Sequence, residues 1–144
     1  MRIALGILAG ILVGLAVQTA VDVLTNQIYP SPGLDIRNRQ QIAEVFAARP
    51  AGALVLNILG YFLGAFAGGY VARRVSRRGW TVWVPAVLLA LMALVIVLNF
   101  PIPAWAQFGC FLAPLLGGVL ARHVGKADPE EEPDPAELKN DAVL

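Results

Sequence analysis

Charged residues are missing from most of this chain, and their absence excludes an ordinary water-soluble domain. Of the 144 residues, 58% are hydrophobic and only 15% are charged, and the mean hydropathy is +0.67. No Asp, Glu, Lys or Arg occurs in Ile3–Val21, Ala51–Ala72 or Trp80–Ala121. The net charge of +1 provides no global positive field of the kind that attracts nucleic acid, so we expect no nucleic-acid partner.

The chain contains hydrophobic segments long enough to cross a membrane. The hydrocarbon core of a bilayer is about 30 Å thick and takes roughly 20 helical residues per crossing. A helix also satisfies its own backbone hydrogen bonds in lipid. The sequence therefore predicts an all-α integral membrane protein with four transmembrane helices, at about residues 3–24, 51–72, 80–100 and 104–121. Residues 1–126 then form one transmembrane domain, and residues 127–144, rich in acids and proline, form a disordered acidic cytoplasmic tail.

A secretory signal peptide is the alternative interpretation of the first span, because Arg2 precedes an apolar run. That run is longer than the core of a typical signal peptide. Cleavage after Ala20 would also place Gln18 where a small residue is required. We therefore expect the first span to remain in the protein.

The distribution of arginine predicts the orientation. The residues expected to set it lie between the second and third spans: Arg73, Arg74, Arg77 and Arg78. The positive-inside rule places this loop and both termini in the cytoplasm, and we expect the membrane to be a bacterial inner (plasma) membrane. Residues 25–50 then form an outer loop, where Asp35 is expected to cap a short helix through Ala48. That helix is either a connector on the membrane surface or a lid or docking element for an external partner.

An internal repeat relates the second and fourth spans. The segments Gly60–Val75 and Gly109–Val124 align without a gap and are identical at eight of sixteen positions, including Arg73 with Arg122. The first and third spans also end alike, each in a Pro-x-Pro turn. We interpret this as a tandem duplication of a helix hairpin, with residues 33–49 inserted into the first copy. Both copies run in the same direction, so they predict parallel repeats in a pseudo-twofold bundle.

Small residues recur every four positions in three of the spans, in the pattern of a glycine zipper. Because lipid is as apolar as the side chains, membrane helices associate by close packing and by hydrogen bonds. Pro114 predicts a kink in the fourth span, and the glycine-free third span is expected to face lipid or a partner. The expected helix-packing residues are Gly6, Gly10, Gly14, Gly60, Gly64, Gly68, Gly109, Ala113 and Gly117.

Polar residues collect near the outer ends of the spans. This expected outer cluster consists of Gln18, Asp22, Asn57, Asn99 and Gln107. The glycine row of the first span continues through Gln18 and Asp22, so a hydrogen bond from one of them to Asn57 would join the first hairpin. Toward the cytoplasm, no charged or hydroxylic side chain continues a path through the spans, as a complete transport route would require.

Groups suited to catalysis are scarce. His123 and Asp22, the one carboxylate in the spans, lie at opposite ends and cannot cooperate. No histidine within a span offers paired haem ligation, and no glycine row follows a strand as in a nucleotide loop. We therefore expect no enzyme, no cofactor and no metal site.

Two functions stay open. The first is association, as an accessory or scaffolding subunit of a membrane complex or as a homo-oligomer, with the lipid bilayer and other membrane subunits or copies of itself as partners. The alternative is a small channel or solute transporter with an outward-facing polar vestibule around Asp22. The first is favoured, because the polar residues stop near the surface and transporters bind at the midplane.

Overall fold

The computed structural model describes residues 2–30 and 38–124, and this part of the chain folds into helices without a strand. A 3-10 turn, Gly79–Val82, leads directly into the fourth helix. The helices are α1 (Arg2–Ile28), α2 (Arg39–Ala47), α3 (Ala51–Ser76), α4 (Trp83–Asn99) and α5 (Ala104–Val124).

The prediction of four long apolar helices is confirmed. The helices α1, α3 and α5, and α4 together with its leading 3-10 turn, are each long and apolar enough to cross a membrane. The predicted acidic tail at 127–144 and the predicted cap at Asp35 lie outside the described residues. The short helix of the α1–α3 connection is present as α2. Asn38 caps it, with its side-chain oxygen accepting the backbone N–H groups of Gln40 and Gln41 at 3.2 and 3.3 Å.

The helix α3 continues four residues beyond the predicted end of the second span. Arg73 and Arg74 therefore lie in its last helical turn, and Ser76 is its final residue. The chain then reverses through Arg77, whose φ of 56° is left-handed and whose N–H bonds to the carbonyl of Arg73. This is the hydrogen-bonding pattern that commonly ends a helix, although glycine is the usual residue there.

The four long helices pack as a four-helix bundle in which α3 and α4 each contact the three others. α3 packs against α1, α5 and α4, and α4 also contacts α1 and α5. In the described part of the chain, α1 and α5 make no contact. The helices therefore follow one another around the bundle in the order α1, α3, α5, α4, and α3 and α4 face each other across its short diagonal.

The interior of the bundle is built from small and medium-sized side chains of α3, α4 and α5. Its main cluster joins Tyr61 and Ala65 of α3 with Leu89 and Ala93 of α4 and Cys110 of α5. The third span was expected to be the helix that faces lipid or a partner, and α4 does expose Leu91, Val95 and Leu98, but it is not the least buried helix. α4 packs against three helices, whereas α1 buries the smallest share of its apolar length.

The bundle has two chemically different ends. The arginine end carries Arg2, Arg73, Arg74, Arg77, Arg78 and Arg122. The loop end is the opposite one, where α2 connects α1 to α3 and where α4 passes into α5.

Candidate functional site

The α1–α3 interface places backbone against backbone along most of its length. A Cβ added to Gly10 would lie 2.6 Å from the carbonyl oxygen of Gly68, and one added to Gly68 would lie 2.5 Å from the carbonyl oxygen of Gly10. The same relation holds between Gly14 and Gly64, at 3.0 and 2.8 Å. Nearer the arginine end, Gly6 faces Ser76, with 2.8 Å to its Cβ. Any side chain larger than hydrogen would therefore push the two helices apart.

The next residue of the α1 glycine row is Gln18, which lies against Gly60 of α3. A Cβ on Gly60 would lie 2.9 Å from Oε1 of Gln18. The Gln18 side chain is 94% buried, and its Nε2 donates to both carboxylate oxygens of Asp22 at 3.4 Å. Its Oε1 is buried without a hydrogen-bond partner among the described residues. An unpaired buried acceptor costs free energy, and among the side-chain nitrogen and oxygen atoms of the described residues this oxygen is the one that is buried without a partner.

Asp22 joins α1 to α3 at the loop end. The Nδ2 of Asn57 donates to Oδ1 of Asp22 at 2.9 Å, one of the two cross-helix bonds expected from the sequence. Asn57 in turn accepts a long contact of 3.9 Å from the Cys110 thiol of α5. Asp22, Gln18, Asn57 and Cys110 therefore form a polar chain that runs across three helices. We call these four residues the polar chain.

Sequence reasoning missed two contributors to this site. Cys110 enters the polar chain because α3 and α5 run parallel, which brings position 110 beside position 57. Arg49, just before α3, lies near enough to Asp22 to attract its carboxylate. No spacing in the sequence identifies Cys110, because its position depends on how the two hairpins pack. Arg49 precedes α3, and α3 packs antiparallel to α1. This packing brings Arg49 near Asp22 of α1 although the two residues are far apart in the sequence.

The remaining two members of the expected outer cluster do not join the polar chain. Nδ2 of Asn99 donates to the carbonyl of Val95 in its own helix at 2.7 Å. Nε2 of Gln107 donates to the carbonyl of Ile102 at 2.8 Å, which closes the turn between α4 and α5. The structure thus brings together three of the five expected residues and uses the other two to terminate helices.

Along α5, the predicted small residues face α3. A Cβ on Gly109 would meet the side chain of Ile58, and one on Gly117 would meet the backbone of Phe62 and Phe66. Ala113 is buried in the interior cluster. Pro114 is fully buried and lies inside α5, which is assigned as one helix from Ala104 to Val124.

At the arginine end, a ring of hydrogen bonds closes the turn between α3 and α4. The Thr81 hydroxyl donates to the carbonyl of Arg78 at 2.7 Å, and the Ser76 hydroxyl lies 2.7 Å from Thr81 Oγ1. Because the one hydroxyl proton of Thr81 is used, Ser76 is the donor to Thr81. The Arg78 N–H then donates to Ser76 Oγ at 3.3 Å and completes the ring. Both side chains are buried, so the turn is internally satisfied.

Two arginines that align in the sequence repeat meet in the structure. The guanidinium of Arg73, at the end of α3, donates to the backbone carbonyl of Arg122, at the end of α5. This bond satisfies a carbonyl of the last turn of α5, which has no partner within the helix.

A shallow cleft of about 330 Å³ opens at the loop end beside α2. Its lining includes Ile28 and Tyr29 from the end of α1, Val45 of α2, and Arg49 just before α3. The cleft lies beside the helix that the sequence predicts as either a surface connector or a lid, and its lining is mainly apolar.

The described residues contain no group of three or more His, Cys, Asp or Glu side chains arranged to hold a metal ion. What the polar chain offers chemically is a carboxylate fixed by two amide donors, with an unpaired amide oxygen beside it. No protein-family model matches this chain, and no curated protein or solved structure is similar to it.

Proposed function

We propose that this chain is an integral membrane protein of the bacterial inner (plasma) membrane, with the arginine end in the cytoplasm. Its four long helices are apolar on their outer surfaces as well as inside. The positive-inside rule applies to six arginines that lie at one end. Trp80, 53% exposed at the same end, is a residue typical of membrane interfaces.

We further propose that the bundle arose by duplication of a helix hairpin and keeps parallel repeats in a pseudo-twofold arrangement. Such repeats are related by a twofold axis along the membrane normal that exchanges α1 with α4 and α3 with α5. Repeat-equivalent residues near such an axis should meet each other, as Arg73 and Arg122 do. The two hairpins have since diverged, since only the first has the closely packed glycine interface.

The function we propose is non-enzymatic association, as an accessory or scaffolding subunit of a membrane complex or as a homo-oligomer. The observation that carries this proposal is the one-sided packing of α1. Its buried residues are Gly6, Gly10, Gly14, Gln18 and Thr25, all on one stripe. On the opposite face Ala16, Thr19 and Ala20 are exposed and small, and they would let the helix of another subunit approach closely.

Native mass spectrometry and crosslinking in mild detergent test association directly. We expect oligomers or a co-purifying membrane protein, and we expect Ala16→Phe to reduce association by blocking the small-residue face of α1. Leu12→Phe, on the same face but already large and 60% exposed, is the matched control. A strictly monomeric particle without a co-purifying partner would overturn the proposal.

A second candidate function is a small channel or solute transporter with its outer vestibule at the polar chain. The exposed carboxylate of Asp22 favours it, because it can accept hydrogen bonds from a solute or attract a positive charge. Flux into liposomes should then fall in Asp22→Asn. An unchanged flux in that variant would remove this candidate.

A further inference from the structure

The arginine end carries positive charge that no carboxylate in the described part of the chain balances. Six arginines close the ends of α1, α3 and α5 and the turn before α4. Within residues 2–30 and 38–124 the only acidic residues are Asp22 and Glu44, and both belong to the loop-end half of the bundle. The arginine end is therefore suited to an anionic partner.

The six arginines are not equally open to such a partner. Arg73 donates to the backbone carbonyl of Arg122, and Arg74 is engaged with a tyrosine one turn earlier in α3. Arg77, Arg78 and Arg122 are exposed, and their guanidinium groups make no hydrogen bond or ion pair with the described residues. The open cations are thus two neighbours in the turn after α3 and one in the last turn of α5.

The complementary charge follows α5 directly in the sequence. Residues 127–144 hold seven of the ten acidic residues of the chain and one lysine, which gives them a net charge of −6, and five of these acids lie within residues 128–134. The six arginines carry +6. The low net charge of the whole chain therefore conceals two concentrated and opposite charges that are adjacent in the sequence.

The structure places the start of this acidic segment among the open arginines. α5 ends at Val124, and the bond from Arg73 to the carbonyl of Arg122 shows that the ends of α3 and α5 lie side by side. An extended chain spans about 3.3 Å per residue, so the four residues from Val124 to Asp128 reach about 13 Å, more than the roughly 8–10 Å between adjacent helix axes. The acidic residues can therefore reach the turn after α3 without leaving their own molecule.

We infer that residues 128–134 bind across the arginine end of the same chain, with their carboxylates on the guanidinium groups of Arg77, Arg78 and Arg122. Guanidinium and carboxylate form paired, charge-assisted hydrogen bonds. One exposed ion pair contributes little, but several form a network here, and the short tether gives the segment a millimolar effective concentration.

The bound segment gives the arginine end a means of regulation. It covers the open cations and competes with any other anionic group, whether on a lipid or on a partner subunit. Access to this end then depends on displacing the segment. The inference does not require the association proposed above, because the segment and its binding surface belong to one chain.

Crosslinking in the full-length protein tests this. Gly79→Cys places a thiol in open space beside Arg78, and Ala136→Cys places one just after the acidic run, both in a Cys110→Ala background. A short bismaleimide joins the two thiols, and mass spectrometry of the intact chain follows the rate of intrachain crosslinking. Because the tether alone keeps residue 136 near this end, the baseline is the same protein with the seven acids changed to their amides.

We expect the acidic segment to crosslink at least about three-fold faster than the neutral one, a factor that a few exposed ion pairs can supply. This advantage should disappear between about 0.05 and about 0.5 M salt, because salt screens exposed charges. The double variant Arg77→Gln, Arg78→Gln should also reduce it. The double variant Arg39→Gln, Arg49→Gln removes the same charge at the loop end and should leave it unchanged.

Equal rates for the acidic and the neutral segment at low salt would overturn the inference, as would equal losses in the two double variants. Covalent dimers in place of the intrachain product would show that the segment binds a second copy. A rate advantage present in phosphatidylcholine bilayers and lost in phosphatidylglycerol bilayers would show that anionic lipid occupies the arginine end. Either result would also overturn the inference. Native mass spectrometry measures the oligomeric state separately, so failure of this contact is distinguishable from failure of association.

Discussion

Gly10 and Gly68 occupy each other's side-chain space. A Cβ on either one would lie within 2.6 Å of the other's carbonyl oxygen, a distance that real Cβ contacts essentially never show. This mutual requirement fixes the separation of α1 and α3 at the middle of the interface. In lipid such close approach supplies the main attraction between helices, because there is no water to exclude.

Gly10→Val should therefore destabilise the bundle. Its side chain would displace α1 from α3 and weaken the contacts along the interface, at a cost of about 1–3 kcal/mol in the free energy of unfolding. Unfolding in mixed detergent–SDS micelles, followed by circular dichroism, measures this. Gly79→Val is the control, since a Cβ at Gly79 meets nothing within 4 Å. Equal losses in the two variants would show that the close approach does not hold the hairpin.

The α1–α3 interface is the part of this fold that the sequence specifies most directly. Four-residue spacing of Gly6, Gly10 and Gly14 on one helix, and of Gly60, Gly64 and Gly68 on the next, predicts a packing surface on each helix. The structure places these rows against each other in antiparallel order, with position 10 facing 68 and position 14 facing 64. Here the local glycine spacing is enough to identify the contact surface, because the two helices are consecutive spans and each has one smooth row of glycines.

The packing of the second hairpin could not be read in the same way. The third span is rich in Leu and Val without glycine, and such a helix gives no local sign of which side is buried. In the structure Pro85, Ala86, Leu89 and Ala93 of α4 face inward. The residues that cover them come from α3 and α5. Their positions depend on how the two hairpins pack together, which local sequence spacing does not reveal.

Asp22 and Asn57 should show energetic coupling. Their bond of 2.9 Å links α1 to α3, so the double variant Asp22→Ala, Asn57→Ala should lose less stability than the two single variants together. Hydrogen bonds between membrane helices are worth about 0.6 kcal/mol on average, with an upper value near about 1.7 kcal/mol, and the coupling should fall in that range. Asn99→Ala combined with Asp22→Ala is the control and should be additive, because Asn99 bonds within its own helix.

Thr81→Val should destabilise the turn between α3 and α4 although it preserves the shape of the side chain. The substitution leaves the buried Ser76 hydroxyl without its acceptor and the Arg78 carbonyl without its donor. An unsatisfied buried polar group costs about 1–3 kcal/mol. Adding Ser76→Ala should recover part of this loss, because the orphaned hydroxyl is then removed. If the double variant lost more unfolding free energy than the two single variants together, the hydrogen-bonded ring would be contradicted.

Arg77→Gly should stabilise the protein. Arg77 has a φ of 56°, a conformation that costs an L-residue with a side chain roughly 1–2 kcal/mol and that glycine adopts freely. Arg78→Gly is the matched control, because Arg78 has an extended φ of −118° and the same charge is lost. We expect the unfolding free energy to rise by about 1 kcal/mol in Arg77→Gly and to fall in Arg78→Gly, where glycine adds entropy to the unfolded chain. The opposite order would show that the charge of Arg77 matters more than its backbone conformation.

The proposed orientation predicts opposite accessibility for the two ends of the bundle. In a Cys110→Ala background, Gln40→Cys places a thiol on exposed α2, and Gly79→Cys places one in open space at the arginine end. A membrane-impermeant maleimide applied to intact cells should label Gln40→Cys, whereas Gly79→Cys should react only after the membrane is permeabilised. Cys110 is removed so that any signal comes from the introduced thiol alone. Labelling of Gly79→Cys in intact cells would show that the arginine end faces outward. The positive-inside rule would then fail for the densest arginine cluster of the chain.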